Sequence, residues 1–240
     1  MVPRKTLTPY YIGERVPLRV DGAETLLSGP TYVSPVSVYS RLASRFEEDD
    51  LVLSVAGDCV SCVAAMAGYA WRGVNPRLVW IDAHGDFNTE ESTLSGHLGG
   101  MPLAKLCGRG DLSVMRDYGC PVMAGSRVTH LGGRDFDPGE QARMEDAGIQ
   151  WEALPLGEPT HLHIDVDVLD PSVLPCVNYP AEGGWSLDQL VATVRKVAEC
   201  CKVLGVTIST HDPRLDKDGT GATVLNRLVD AIAITLEENT

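Results

Sequence analysis

The sequence predicts an α/β protein whose mainly parallel sheet is covered by helices on both faces. Three observations predict it. Short apolar, β-branched runs alternate with longer segments of helical spacing. Two clusters of aspartate each begin inside such an apolar run and break at a Gly or Pro. The chain has 240 residues, enough for one α/β domain with a sizeable core, so a single domain over 1–240 is expected.

The first fifty residues are rich in Pro and turn formers and offer no clear strand. Leu51 to Val55 is apolar and reads as a strand, and Cys62 to Trp71, small and apolar, suits a helix packed on the sheet. Arg77 to Ile81 is the strand leading into the first aspartate cluster. Gly99 to Cys107 starts a helix behind its glycines, Arg127 to Leu131 is a short strand, and Glu140 to Ala147 a helix. His161 to Val166 carries the second cluster. Ser186 to Cys200 begins with a Ser N-cap and keeps apolar residues at helical spacing. Val203 to Ser209 is a β-branched strand ending at His211-Asp212-Pro213, and Ala222 to Leu236 is the last helix.

The net charge of −13 argues against nucleic acid and against an anionic membrane surface as partners. No apolar run is long enough to span a bilayer, and no linker, repeat or signal peptide is recognisable. The seven cysteines are odd in number and scattered, which fits reduced thiols and a cytoplasmic location. Cys59 and Cys62 form one C-x-x-C pair with no second pair to complete a zinc site. The expected partner is a small molecule, bound by a monomer or homo-oligomer.

The chemistry lies in the two clusters. The first reads Trp80-Ile81-Asp82-Ala83-His84-Gly85-Asp86, the second His163-Ile164-Asp165-Val166-Asp167-Val168-Leu169-Asp170-Pro171. Residues two apart on a strand share a face, so Asp82, His84 and Asp86 are expected to converge at one strand end and Asp165 with Asp167 at another. Clustered bare carboxylates repel and are costly to desolvate, and a divalent cation removes both problems. Four carboxylates and one imidazole exceed the needs of one structural ion. Oxygen-rich ligands favour manganese or magnesium over zinc.

At these residues the chain resembles the arginase, or ureohydrolase, family, whose D-A-H-x-D and D-x-D-x-x-D-P signatures stand unbroken. Gly132-Gly133-Arg134-Asp135-Phe136-Asp137-Pro138-Gly139-Glu140 is similar to that family's R-D-x-D-P-G-E segment, and the resemblance runs from about Leu51 to the C-terminus. It implies a three-layer α/β/α sandwich with metals at the carboxyl ends of the strands, as ligands of open α/β sheets usually lie. It further implies a site holding two Mn²⁺ and a small guanidino substrate. Asp82 and Asp165 would bridge the ions, Cys59 and Asp86 complete the first shell, and His84 and Asp167 the second. Asp86 would orient a water made nucleophilic by the two cations. Asp135 and Asp137 match positions that meet the substrate's α-amino group, and Ser95 a carboxylate contact. Asp137 could equally cap the turn at Pro138.

Three departures bear on the substrate. Cys59, in Ala56-Gly57-Asp58-Cys59-Val60-Ser61, stands where the family's G-G-D-H-S segment supplies a ligand histidine. It is either a thiolate ligand, softer than imidazole, or a small buried residue. Ser95-Gly96-His97-Leu98-Gly99-Gly100 stands for S-G-N-L-H-G, so Gly99 occupies the proton-relay position. His97 replaces the asparagine that holds the substrate carboxylate, and could serve either duty or face solvent. Thr210, in Thr210-His211-Asp212-Pro213, replaces the glutamate that clamps the guanidinium. His211 is expected to turn away from the pocket, His163 to be a satisfied core histidine, and His130 and His161 to lie near strand starts without a role. The pattern resembles the branch that hydrolyses Nω-hydroxy-L-arginine. Another ureohydrolase (arginase, agmatinase or formiminoglutamase-like), an inactive metal-binding member with a regulatory role, and the single-zinc deacetylases are the alternatives.

Overall fold

The computed structural model describes residues 1–12, 14–26 and 35–239. Its centre is an eight-stranded sheet in which every pairing is parallel. In chain order the elements are β1 (Arg4–Thr8), the small antiparallel hairpin β2 (Tyr10–Tyr11) and β3 (Glu14–Arg15), and β4 (Glu24–Thr25). Next come α1 (Pro35–Glu48), β5 (Val52–Ala56), α2 (Val60–Trp71), β6 (Arg77–Ile81), α3 (Pro102–Leu106) and α4 (Ser113–Tyr118). The chain continues through β7 (Val128–Leu131), α5 (Glu140–Asp146), β8 (Gln150–Trp151) and β9 (Pro159–Asp165). It ends with α6 (Leu187–Cys200), β10 (Lys202–Ser209) and α7 (Thr220–Glu238). The strands lie side by side in the order β4-β1-β5-β10-β9-β6-β7-β8.

Alternation along the strands builds two cores. Val52, Leu78 and Trp80 pack into one, with residues of α1 to α5. Leu53, Val79 and Ile81 pack into the other, with α6 and α7. The molecule is therefore the three-layer α/β/α sandwich expected. Each fully buried Leu, Ile or Val contributes about 1.5–3 kcal/mol, and the central strands are buried on both faces, which is why they read as continuous apolar runs.

All ten of the strands and helices expected after residue 50 fall within a few residues of observed ones. The N-terminal fifty residues are a correction. They hold β1, which pairs with β5 inside the sheet, the β2–β3 hairpin, β4 and all of α1. Residues 27–34 of that stretch lie outside the described residues. The strand Arg4-Lys5-Thr6-Leu7-Thr8 has one aliphatic residue of the core type, and its buried Thr6 and Thr8 carry no apolar signal. No helix among the described residues is long and apolar enough to cross a membrane, and all seven cysteines are free thiols.

The start of α6 is a complete capping box. Ser186 Oγ accepts from Gln189 N at 3.2 Å, and Gln189 Oε1 accepts from Ser186 N at 2.8 Å. Ser186→Ala is expected to cost about 1 kcal/mol of stability, read as a lowered urea midpoint with unchanged slope.

Candidate metal centre

The carboxyl edge of the sheet gathers the acidic residues, though not by strand alternation. β6 ends at Ile81 and β9 at Asp165, so Asp82, His84, Asp86 and Asp167 all lie in the turns that follow. The convergence expected from a two-residue strand period is thus replaced by backbone capping. Asp82 Oδ1 accepts from His84 N at 2.7 Å, folding the first cluster back on itself. Asp165 caps a single 3₁₀ turn, accepting from Asp167 N at 2.9 Å. Asp86 adopts a left-handed φ of +48°, which points its side chain back toward Asp82 and Cys59. Such a conformation costs on the order of 1–3 kcal/mol and is retained only where surroundings enforce it.

Two overlapping donor sets result. Cys59, Asp82 and Asp86 have ligand atoms within 4.8 Å of one another, as do Asp82, His84 and Asp167. Asp82 is common to both. Cys59 sits at the N-cap of α2, and its Sγ lies 3.0 Å from Asp165 Oδ2 and 3.3 Å from Ser209 Oγ. His84 Nδ1 lies 3.0 Å from Asp167 Oδ2 and 3.6 Å from Asp82 Oδ1.

The electrostatics of this cluster are those of carboxylates without enough positive charge. Burial, then repulsion from Asp82 and Asp165, holds Asp86 well above the usual carboxylate range. Burial with Asp167 and Asp82 does the same to Asp165. Burial and Asp82 push Asp167 up to about 6, against the pull of His84. For Asp82 burial also acts upward, but the hydrogen bond and charge of His84 prevail and lower it. Burial opposes the charged form of His84, yet its bonds to Asp167 and Asp82 raise it to about 12. Burial and the three carboxylates push the Cys59 thiol up. Asp86 Oδ2 is buried with no hydrogen-bond partner. A buried, unpartnered carboxylate oxygen beside shared acidic donors fits divalent cations, which would supply the missing charge and reverse the shift on Cys59.

The surrounding side chains hold this arrangement. Trp80 Nε1 donates to Asp82 Oδ2 at 2.8 Å, and its ring lies 3.9 Å from that of His163. His163 is buried and bonded to Thr207 at 2.8 Å, a satisfied core histidine. His161 lies near the start of β9, as expected, and His130 is the third residue of the four-residue β7; both are buried. His130 differs from expectation in having a part to play, since its Nε2 lies 2.8 Å from the His84 carbonyl and steadies that loop. His161 is bonded to Tyr69 and Thr207. His211 is buried, 3.9 Å from Asp216, and turned from the cleft.

A cavity of about 240 Å³ opens above the cluster, lined by Cys59, His84, Asp86, Asp165, Asp167 and the residues discussed next. Ser95 is at its exposed rim, where its Oγ accepts from His97 N at 3.1 Å. His97 is half-buried, its Nε2 3.1 Å from the Tyr11 hydroxyl. Asp135 Oδ2 lies 3.7 Å from His84 Nε2. Asp137 does not cap its turn through its carboxylate, which accepts from Asn88 Nδ2 at 2.9 Å. Thr210 lines the cavity with φ +72°, an outlier for a β-branched residue, and its hydroxyl donates to Asp165 Oδ1. Glu140, whose carboxylate accepts from Phe87 N and Asp137 N at 2.8 and 3.0 Å, ties the two loops of the cleft together. Tyr11 and Tyr179, which also line the cavity, had no sequence signal, because each comes from a segment distant from the acidic motifs; Glu140 stands in the R-D-x-D-P-G-E-like segment, but its bond to Phe87 N was not readable from it.

Fold and site together define an α/β protein with a buried acidic donor cluster at the carboxyl edge of a parallel sheet. The chain belongs to the arginase family, whose profile matches residues 21–155 and 152–234. It is 28% identical to the Nω-hydroxy-L-arginine amidinohydrolase of Streptomyces lavendulae, over 98% of this chain and 84% of that protein. It is also 28% identical to the arginase of Neurospora crassa, over 79% of this chain and 61% of that relative, so it spans less than two thirds of the Neurospora protein. Among solved structures, the arginase of Bacillus subtilis superposes with a TM-score of 0.80 at 23% identity, covering 97% of this chain and 98% of that one.

Proposed function

We propose that this protein is a binuclear manganese amidinohydrolase that cleaves a guanidino C–N bond of an amino-acid substrate, with Nω-hydroxy-L-arginine hydrolysed to hydroxyurea and ornithine. The observation that carries the reading is the pair of donor sets sharing Asp82. Their carboxylates favour Mn²⁺ over zinc, and one thiolate and one imidazole are tolerated by it. Two bound ions would lower the pKa of water and stabilise charge developing on the amidine group.

The chain's own residues supply the rest. By the family resemblance, Asp82 and Asp165 would be shared by the two ions, Cys59 and Asp86 would hold one, and His84 and Asp167 the other. The free oxygen of Asp86 accepts a hydrogen bond from the attacking water and so orients it. The water oxygen would bond to the amidine carbon as the bond from that carbon to the amine nitrogen breaks, and a proton given up by the water would pass to that nitrogen, which leaves as the amine of ornithine. Asp135 and Asp137 face the α-amino end, Ser95 and His97 the carboxylate, and Thr210 the reacting group. Thr210 also steadies Asp165.

The test combines metal analysis with a substrate panel. Gently purified protein should carry two manganese-class ions per chain, and Cys59→Ala one fewer. Manganese-loaded protein should then be offered L-arginine, Nω-hydroxy-L-arginine, agmatine and a formimino amino acid. Turnover of the second is expected. Silence on all four would refute the enzymatic reading in favour of a metal-binding relative without activity, and one ion or none at saturation would refute the binuclear centre.

A further inference from the structure

The cleft contains a hydroxyl–imidazole pair whose geometry is unusually constrained. Tyr11 reaches the cavity from the hairpin β2–β3, which is pressed onto the loop after β5. Any Cβ at Gly57 would overlap the Tyr10 carbonyl oxygen, and Ile12 N donates to Asp58 Oδ2 at 2.7 Å. The Arg214 guanidinium stacks 5.5 Å over the Tyr11 ring and is itself paired with Asp212 at 2.7 Å and Glu14 at 3.0 Å. The hydroxyl of Tyr11 is 3.1 Å from His97 Nε2, and the two rings stack at 5.9 Å and 22°.

His97 is seated on Gly99. A Cβ there would overlap Nε2 and come within 2.8 Å of the ring's Cδ2. The missing side chain at position 99 is therefore the imidazole's seat rather than an empty relay position. Burial lowers His97 from its ordinary value, so the ring is neutral near pH 7. Burial and nearby acidic groups push the Tyr11 hydroxyl up, so it keeps its proton and has it available to donate to the ring nitrogen 3.1 Å away. A neutral imidazole that accepts at Nε2 carries its hydrogen on Nδ1.

We propose that Tyr11 is a positioning residue that locks His97 as its Nδ1–H tautomer over Gly99, and that this N–H is a specificity-determining donor to an oxygen acceptor at the amino-acid end of the substrate. The inference rests on the amidinohydrolase reading of the cleft. Sequence position alone left His97 with several duties, and the Tyr11 bond selects one of them.

The probe is L-ornithine, the product's amino-acid end, titrated calorimetrically into manganese-loaded protein. Tyr11→Phe and Gly99→Ala should each weaken it about tenfold, the effect of losing one hydrogen bond to a charged group. The KM for Nω-hydroxy-L-arginine should rise in parallel while kcat stays within about threefold. The double variant should be no worse than the weaker single one, because both act on one ring. His97→Gln, which keeps an N–H donor, should retain part of the affinity. Ornithine binding unchanged in a folded, metal-loaded Tyr11→Phe would overturn the inference alone, as would a fall in kcat with KM unchanged. Wild-type protein that hydrolyses a guanidine but binds no ornithine would overturn the amino-acid reading as well.

Discussion

Asp82→Ala strips the protein of its metal and its activity, and Asp165→Ala does the same. Asp82 belongs to both donor sets, so its loss removes a ligand from each ion at once. It also releases Trp80 Nε1 and the His84 backbone, the two bonds that shape the first cluster. Asp165 touches Cys59 and is gripped by Thr210, so its removal loosens the thiol's side of the centre. The wild-type protein gains about 2.7 kcal/mol of stability from each ion supplied at a hundred times its Kd, and Asp82→Ala should gain almost none. His97→Ala keeps its metal, because His97 touches the rim rather than the cluster. Metal analysis after gel filtration and thermal melts with and without Mn²⁺ check the result. Two ions retained in Asp82→Ala would falsify the shared-carboxylate arrangement.

The same prediction has a pH dependence with a fixed sign. Asp86, Asp165 and Asp167 carry raised pKa values in the metal-free fold, Asp167 at about 6. A carboxyl raised on folding stabilises the metal-free fold below its unfolded value, and that stability is lost as pH rises through the folded one. Metal-free protein should therefore melt lower at pH 8 than at pH 5, through these groups. His84, raised to about 12, acts with the same sign, its contribution being present below its ordinary value and lost on the way up. Metal binding must displace these protons, so affinity falls with falling pH, and the stabilisation by Mn²⁺ is greatest at the alkaline end.

The central strands were legible because they are buried on both faces and so read as unbroken apolar runs, as in Leu78-Val79-Trp80-Ile81. β1 was not, because its inward positions Thr6 and Thr8 are polar and its pairing with β5 is a long-range event. β4 and β8 are two residues long, too short for any period to register. The acidic clusters were legible as contiguous strings of chemistry. Their geometry was not, since it comes from capping turns and a left-handed Asp86 rather than from strand alternation. Tyr11 shows where sequence reasoning stops. It meets a histidine 86 positions away, across a hairpin fixed by Gly57, and nothing local to either residue announces the pair.

L-arginine should be turned over at least about a hundredfold less efficiently than Nω-hydroxy-L-arginine, because two losses fall on the same substrate. Arginine's guanidinium is cationic at any physiological pH and needs an anionic partner. At the position nearest the family's clamp, Thr210 offers a hydroxyl that is already donating to Asp165. Losing a hydrogen bond to a charged group costs about 1.5–3 kcal/mol, or roughly 10- to 150-fold. Two other carboxylates of the cleft are already engaged, Asp137 with Asn88 and Glu140 with two backbone amides. Gly99 supplies no proton to the departing amine, and the absence of a general acid typically costs about 10²–10⁴-fold. A hydroxyguanidine is less basic, so more of it is neutral and less depends on the clamp. Its N-hydroxyl adds an oxygen at the reacting centre. Thr210→Ala offers a control, since it should loosen Asp165 and lower metal retention without restoring arginine. Comparing kcat/KM for the two substrates under saturating Mn²⁺ at one near-neutral pH decides the matter, and arginine turned over as well as its hydroxylated form would overturn the argument.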